Sequence, residues 1–420
     1  MAASPADLLL AVLAALPRDA DLAVVRRDGR QWVVGVAPDA RIEASGAEAL
    51  GRLDRLDGGW WAGWLSYDLG RAVERVERRR PDDLGLPDLA LARFDARLVV
   101  GPAGVRLEGD GPGRPLLAAA AHSARSGARR RGPAAGPIGR GLGLGPFTSS
   151  LDRAAFEAGV REIVELIRAG DCYQVNLTRR LSCDEAAHPL ALFSALVRHN
   201  PAPHAALLRF GDRAVVSASP ERFLRRRGDA VETRPIKGTA SERAGLVAST
   251  KDRAENVMIT DLARNDLGRV CVPGSVQVPA LCAPEAHPGL WHLVSTVTGR
   301  LRPGVGTGGL VRATFPPASV TGAPKPRVLQ AIEDLEPVTR GVYCGAVGWI
   351  DAAAGALDLN VAIRTFEIAG GRTHLGVGGG ITVDSDPAAE WRETELKAAR
   401  LLAVAGAPGD ALGGRIGVPA

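Results

Sequence analysis

Between residues 156 and 167 the apolar side chains Phe156, Val160, Ile163, Val164 and Ile167 recur at the spacing of one helical face. Gly170 ends that run, and the period changes. Tyr173, Val175 and Leu177 then alternate with Gln174, Asn176 and Thr178. Such alternation predicts a strand with one polar face, because successive side chains of a pleated chain point to opposite sides. A polar strand face directly after a helix is a candidate pocket wall. Further helices are predicted near 251–266, 308–314, 324–334 and 387–404, with many short strand-like segments between them. These elements do not alternate as βαβ units, so the pattern predicts an α+β fold with antiparallel sheets.

Two stretches depart from this patterning. The apolar run Leu8 to Leu16 follows Asp7 with no basic residue before it. It falls short of the roughly 20 residues that a membrane span needs, so a buried amphipathic helix is expected. From Gly109 to about Gly145 the composition collapses to Gly, Ala, Pro and Arg. A segment of that kind buries too little apolar surface to offset its ordering entropy, and a linker or disordered loop is expected over 109–147. The chain is thereby divided into an N-terminal part at 1–108, the linker, a main domain at 148–405 and a flexible tail at 406–420.

Composition adds few constraints. At 46% hydrophobic and 24% charged residues, with a net charge of +5, the 420-residue chain has ample core and little charge excess. Aromatic residues are sparse and no basic–aromatic platform is present, so neither a nucleic acid nor a membrane is an expected partner. The five cysteines, Cys172, Cys183, Cys271, Cys282 and Cys344, show no CxxC spacing. That argues for a reducing, cytoplasmic setting and against a zinc site.

The candidate chemistry lies in the main domain. Asp252 and Glu255, and again Glu390 and Glu393, are i,i+3 pairs on predicted helices. Each pair shares a helical face, which suits either a hard cation such as Mg2+ or simple solvation near a helix N-terminus. The run Gly378-Gly379-Gly380 offers either anion-binding amides or a tight turn. His292 lies among apolar neighbours, as a core histidine or a site residue. Arg364 sits in an apolar strand, where a cation needs an anionic partner, whether a salt bridge or a ligand carboxylate. Glu221, after Pro220, is a general acid or a turn carboxylate. Only four residues are lysine, namely Lys237, Lys251, Lys325 and Lys397. Lys237, between Ile236 and Gly238, is either exposed on a hairpin or desolvated toward nucleophilic competence.

Taken together and in order, "GDCYQVNLTRR", "SPERFL", "ETRPIKGT", "KDRAENVMITDLARNDLGRV", "HLVSTVTG", "SVTGAPKPR", "YCGAVGW", "AIRTFEI", "GVGGGIT" and "EWRETELKA" resemble the motifs of the chorismate-utilising enzymes. The match is dense over about 148–404, and "GGWWAGWLSYDLGR" extends it weakly toward the N-terminus. The resemblance implies an anthranilate synthase component I-like fold, with orthogonally packed antiparallel β-sheets flanked by helices. It implies Glu255 and Glu393 as direct Mg2+ ligands, with Asp252 and Glu390 acting through water. Many relatives carry Glu at the Asp252 position. Tyr343, Arg364, the Gly378, Gly379 and Gly380 amides and Lys397 would bind the carboxylates of chorismate. His292, Ser319 and Thr321 would line the ring and its enolpyruvyl side chain, and Gln174 and Thr239 would also contact the substrate.

Two positions indicate the branch. Isochorismate and salicylate synthases carry a water-activating lysine where this chain has Gln174, which disfavours hydroxyl transfer. Anthranilate synthases typically read Pro-Ile-Ala-Gly-Thr where this chain reads Pro235-Ile236-Lys237-Gly238-Thr239. Lys237 is similar to the nucleophile of the aminodeoxychorismate synthases, which make the precursor of p-aminobenzoate and folate. That resemblance implies Lys237 as a covalent catalyst and Glu221 as general acid. No Gly-x-Cys-x-Gly glutaminase nucleophile surrounds any cysteine, so ammonia is expected from a separate glutamine amidotransferase subunit. The competing expectations are an anthranilate synthase component I and a catalytically silent chorismate-binding or regulatory subunit.

Overall fold

The computed structural model describes residues 3–126, 142–287 and 290–407. Two antiparallel sheets dominate it. The first has eleven strands. Its functional end runs Gly322–Ala323, Gln174–Cys183, Arg372–Ile381 and Thr365–Ala369, and it continues through Arg213–Ser217, Ala206–Phe210 and Leu22–Arg27. The second has ten strands and runs from Ile236–Ala240 through Leu290–Arg300, Ala230–Arg234 and Arg222–Arg227 to Trp60–Leu65. The predicted helices are present at Arg153–Arg168, Thr250–Gly268, Thr307–Thr314, Lys325–Leu335 and Pro387–Val404.

The sheets meet over a shared apolar layer that includes Val25, Trp60, Trp64, Phe94, Phe210 and Val347. Trp60 stacks on Trp349 at 6.3 Å and Trp64 on Phe210 at 5.3 Å, offset pairings that add to area burial. The neighbouring Trp61 and Leu65 point the other way, into the helix-covered core. The Trp-rich segment is therefore a strand buried on both faces.

Several sequence expectations are corrected here. The expected boundary at 108 separates no pairing unit: Leu22–Arg27 pairs with Ala206–Phe210, and Trp60–Leu65 pairs with Ala346–Asp351. Local patterning carries no signal for such distant pairings. Within the expected linker, Arg114–Arg125 is a helix that buries Leu117, Ala120 and Ala121 against the helix Pro5–Ala14. Its core, "LLAAAA", consists of strong helix formers, which the average composition of the segment conceals. The rest of that expectation, at 127–141, and most of the expected tail, at 408–420, lie outside the described residues. Tyr173, expected on the apolar strand face, is 71% exposed, because the strand begins only at Gln174.

The stretch Leu8 to Leu16 falls largely within Pro5–Ala14, a helix opened by a Ser4–Asp7 capping box. Among the described residues no helix is long and apolar enough to cross a membrane.

One buried ion pair ties two motifs together. Lys325 donates to Asp266 at 2.6 Å and to the Thr314 carbonyl at 2.8 Å, with both charged side chains almost fully enclosed. Removing one partner strands the other charge, so Lys325→Met is expected to lower stability by about 3–5 kcal/mol. A urea denaturation midpoint within error of wild type would contradict this.

Candidate active site

A cavity of about 730 Å³ opens between the ends of the two sheets and the helices Thr250–Gly268 and Pro387–Val404. Ser249 caps the first helix through the Asp252 N–H, and Asp386 caps the second through the Ala389 N–H. These caps fix the first turns, which carry Asp252 and Glu255 on one helix and Glu390 and Glu393 on the other. All four carboxylates line the cavity.

Lys237 enters from the edge strand Ile236–Ala240, whose pairing with Leu290–Arg300 is irregular between Ile236 and Thr239. Gly238 follows it at φ +87°, and a Cβ there would lie 2.8 Å from the Asp252 Cβ. A larger residue would push the strand off the acidic helix. The Lys237 ammonium reaches toward Gly380, where an added Cβ would stand 3.3 Å from its Nζ. Burial lowers the Lys237 pKa, Glu255 opposes that shift, and Lys397 reinforces it.

Glu221 is only 3% exposed and shares the cavity with Lys237. Burial pushes its pKa up to about 7, against the pull of the Ser319 hydroxyl, the Lys237 charge, the Ile236 N–H and Arg364. It is thus a carboxyl group able to hold a proton near neutral pH.

His292 is not a satisfied core residue. Its Nδ1 shares a 2.8 Å hydrogen bond with the Thr239 hydroxyl, while Nε2 is buried with no partner. Burial, Arg364 and His287 push its pKa down to about 3, so the imidazole is neutral. The Gln174 Oε1 is likewise buried and unpartnered, whereas the Ser319 hydroxyl faces the Glu221 carboxyl. Buried polar atoms are rarely left unsatisfied, and His292 lines this cavity.

The glycine strand presents its amides by register. Asn176 turns its N–H to the Thr321 carbonyl and Thr178 to Glu336, both at 2.8 Å and away from the strand Arg372–Ile381. Their partners Gly380 and Gly378 therefore occupy non-hydrogen-bonded pairs and face the opposite side. On that side the next strand pairs no further than Leu375, leaving the Gly378 and Gly380 amides open to the cavity. The Gly378 carbonyl accepts from Lys397 at 2.8 Å.

Arg364 lines the same cavity beside Tyr343. Its backbone adopts φ +51°, a costly conformation for a residue with a Cβ and one that tends to occur where function requires it. Burial lowers its pKa and Arg400 lowers it further.

Three expected site residues do not form the cavity wall. Gly379 lies in the hydrogen-bonded pair with Leu177, so its amide is spent in the ladder. The Thr321 hydroxyl turns back to the Pro317 carbonyl at 3.0 Å. Gln174, 1% exposed, sits behind Gly380, where an added Cβ would meet its Nε2 at 2.0 Å. Conversely, Lys251, Gly376 and Arg400 line the cavity and were missed. Periodicity would have found them: Lys251 precedes Glu255 by four residues, Gly376 precedes Gly378 by two, and Arg400 follows Lys397 by three.

Among the described residues no three His, Cys, Asp or Glu side chains already converge closely enough to hold a metal. Glu393 is instead paired with Lys397 at 2.7 Å, and Glu390 faces Lys251 at 3.8 Å. The donor chemistry nonetheless fits a hard cation: it is all oxygen, and it is electrostatically strained. Burial raises the pKa of Glu255, with Asp252 and Glu390 adding repulsion; burial also raises that of Glu390, with Glu393 adding to it.

A family model for chorismate binding enzymes matches residues 20–403, and the protein is an enzyme of that family. It is 38% identical over 354 residues to aminodeoxychorismate synthase component 1 of Salmonella typhimurium, spanning 81% of this chain and 75% of that one. Over 351 residues it is 40% identical to anthranilate synthase component 1 of Thermus thermophilus, spanning 81% and 76%. The crystal structure of anthranilate synthase component I from Streptococcus pneumoniae TIGR4 superposes with a TM-score of 0.77 at 28% identity, covering 90% of this chain and 93% of that one.

Proposed function

We propose that the protein aminates chorismate at C4, giving 4-amino-4-deoxychorismate through a covalent adduct on Lys237. The observation that carries this is Lys237 itself, a lysine with a lowered pKa that shares one cavity with a carboxyl group of pKa about 7. Direct replacement of the C4 hydroxyl by ammonia requires expulsion of a poor leaving group. Attack of the neutral Lys237 amine at C2 shifts the double bond and expels that hydroxyl as water, with the proton supplied by Glu221. Ammonia then adds at C4 and expels the lysine amine. The new ammonium returns a proton to Glu221, so the net change is ammonia in and water out. Two easier steps replace one difficult step.

Arg364 and the open Gly378 and Gly380 amides are the groups suited to the substrate carboxylates, and His292 presents a neutral Nε2 to the bound ligand. Asp252, Glu255, Glu390 and Glu393 would hold Mg2+, whose chemistry there is to neutralise a carboxylate of the substrate. Relatives named component 1 support a second component, and we propose that it is a glutamine amidotransferase subunit that supplies the ammonia. Five free, buried cysteines suit a reducing compartment such as the cytoplasm.

The Thermus relative favours a second reading, amination at C2 with loss of pyruvate to give anthranilate. Lys237 weighs against it, since anthranilate synthases typically carry alanine there. Incubating the protein with chorismate, Mg2+ and ammonium at alkaline pH distinguishes the two. The expected product has the mass of aminodeoxychorismate and is converted to p-aminobenzoate by an added aminodeoxychorismate lyase. Direct appearance of anthranilate would overturn the C4 assignment.

A further inference from the structure

The charges around the cavity are unevenly matched. At the acidic helices Lys251 and Lys397 stand against Glu390 and Glu393. Arg364 and Arg400, which also line the cavity, have no carboxylate within ion-pair distance among the described residues. They repel one another instead, Arg400 being the largest contributor after burial to the lowered Arg364 pKa.

Arg400 is nevertheless held in place. It follows Lys397 by three residues on the helix Pro387–Val404, so both project from one face toward the cavity. One guanidinium nitrogen donates to the His199 carbonyl at 2.9 Å, at the C-terminal end of the helix Pro189–His199. Carbonyls at a helix C-terminus are unsatisfied and carry partial negative charge, which orients a cation. A guanidinium has five N–H donors, so most of the fork remains free. A surface arginine that only caps a helix would have no reason to face a second, unpaired arginine.

We infer that Arg400 is a second anion-binding cation of this cavity, acting beside Arg364 to capture a carboxylate of the incoming substrate at the mouth. This rests on the reading of chorismate, a dicarboxylate, as the substrate. Two unpaired arginines on a partly enclosed wall focus positive potential there, which raises the encounter rate of a dianion and makes it sensitive to salt.

The test is steady-state kinetics of Arg400→Gln in the full chain with chorismate, ammonium and Mg2+, across a series of NaCl concentrations. The expected result is a fall of about tenfold in kcat/KM at low salt, with kcat within about twofold of wild type and a flatter salt dependence. Arg400→Lys is expected to recover part of kcat/KM and most of the salt dependence, because it restores the charge without the fork. Unchanged kcat/KM and salt dependence in Arg400→Gln would overturn the inference. So would a fall in melting temperature with kcat and kcat/KM reduced equally, the signature of a purely structural helix cap. Calorimetry of the wild-type protein with chorismate separates the two levels. Absence of binding there would overturn the substrate reading itself and the inference with it.

Discussion

Lys237→Ala is expected to lower aminodeoxychorismate formation by about a thousandfold or more, the scale on which removal of a covalent nucleophile acts. The change should leave the fold intact. Lys237 lies in the irregular part of the pairing between Ile236–Ala240 and Leu290–Arg300, and its side chain makes no ion pair within 4 Å among the described residues. Its amine faces a cavity, so truncation creates no unsatisfied core group. It also removes a cation from beside Glu255 and Glu221, whose pKa values its charge lowers. Both carboxyl groups will therefore hold their protons to higher pH in the variant. Two measurements check the prediction. Product formation is followed by mass, and intact-protein mass spectrometry with chorismate but no ammonium seeks an adduct of chorismate less water on wild type alone. Turnover of Lys237→Ala within twofold of wild type would exclude the covalent role.

The site was legible wherever a motif's order and its local period agreed. Asp252, Glu255, Glu390 and Glu393 were placed on helices from spacing, and the structure sets both pairs on one cavity. Singly, His292 and Glu221 were ambiguous, because a sequence does not show whether a buried nitrogen or carboxyl group has found a partner. The structure leaves the His292 Nε2 without a partner and encloses the Glu221 carboxyl in the wall of the cavity. The glycine run was read as one set of amides, yet strand register divides it, with Gly378 and Gly380 facing the cavity and Gly379 facing its neighbour. That division depends on Thr321 and Glu336 claiming the far side of the partner strand, a tertiary fact with no local signal. The membership of Leu22–Arg27 and Trp60–Leu65 in these two sheets was illegible for the same reason, since each has one partner strand more than a hundred residues away.

Glu221→Gln is expected to reduce kcat/KM for chorismate by about 10²–10⁴-fold, the usual contribution of a positioned general acid. The substitution keeps the shape of the side chain and removes the transferable proton. Its distinguishing sign is in the pH profile. As an acid, Glu221 must be protonated, so the competent fraction falls as pH rises through about 7. Lys237 must be neutral, so its competent fraction grows as pH rises toward its lowered pKa. Wild type should therefore give a bell-shaped profile when free ammonia is held constant, with loss of the Glu221 proton producing the alkaline limb. In Glu221→Gln that limb should vanish and leave only the rise due to Lys237. Removing a carboxylate beside Lys237 also removes an interaction that holds its proton on, so this remaining rise should move to lower pH. A structural role for Glu221 would lower the rate without changing the shape of the profile. A variant that keeps both the rate and the alkaline limb would sink the assignment, and the proton for the departing hydroxyl would then have to come from a group other than Glu221.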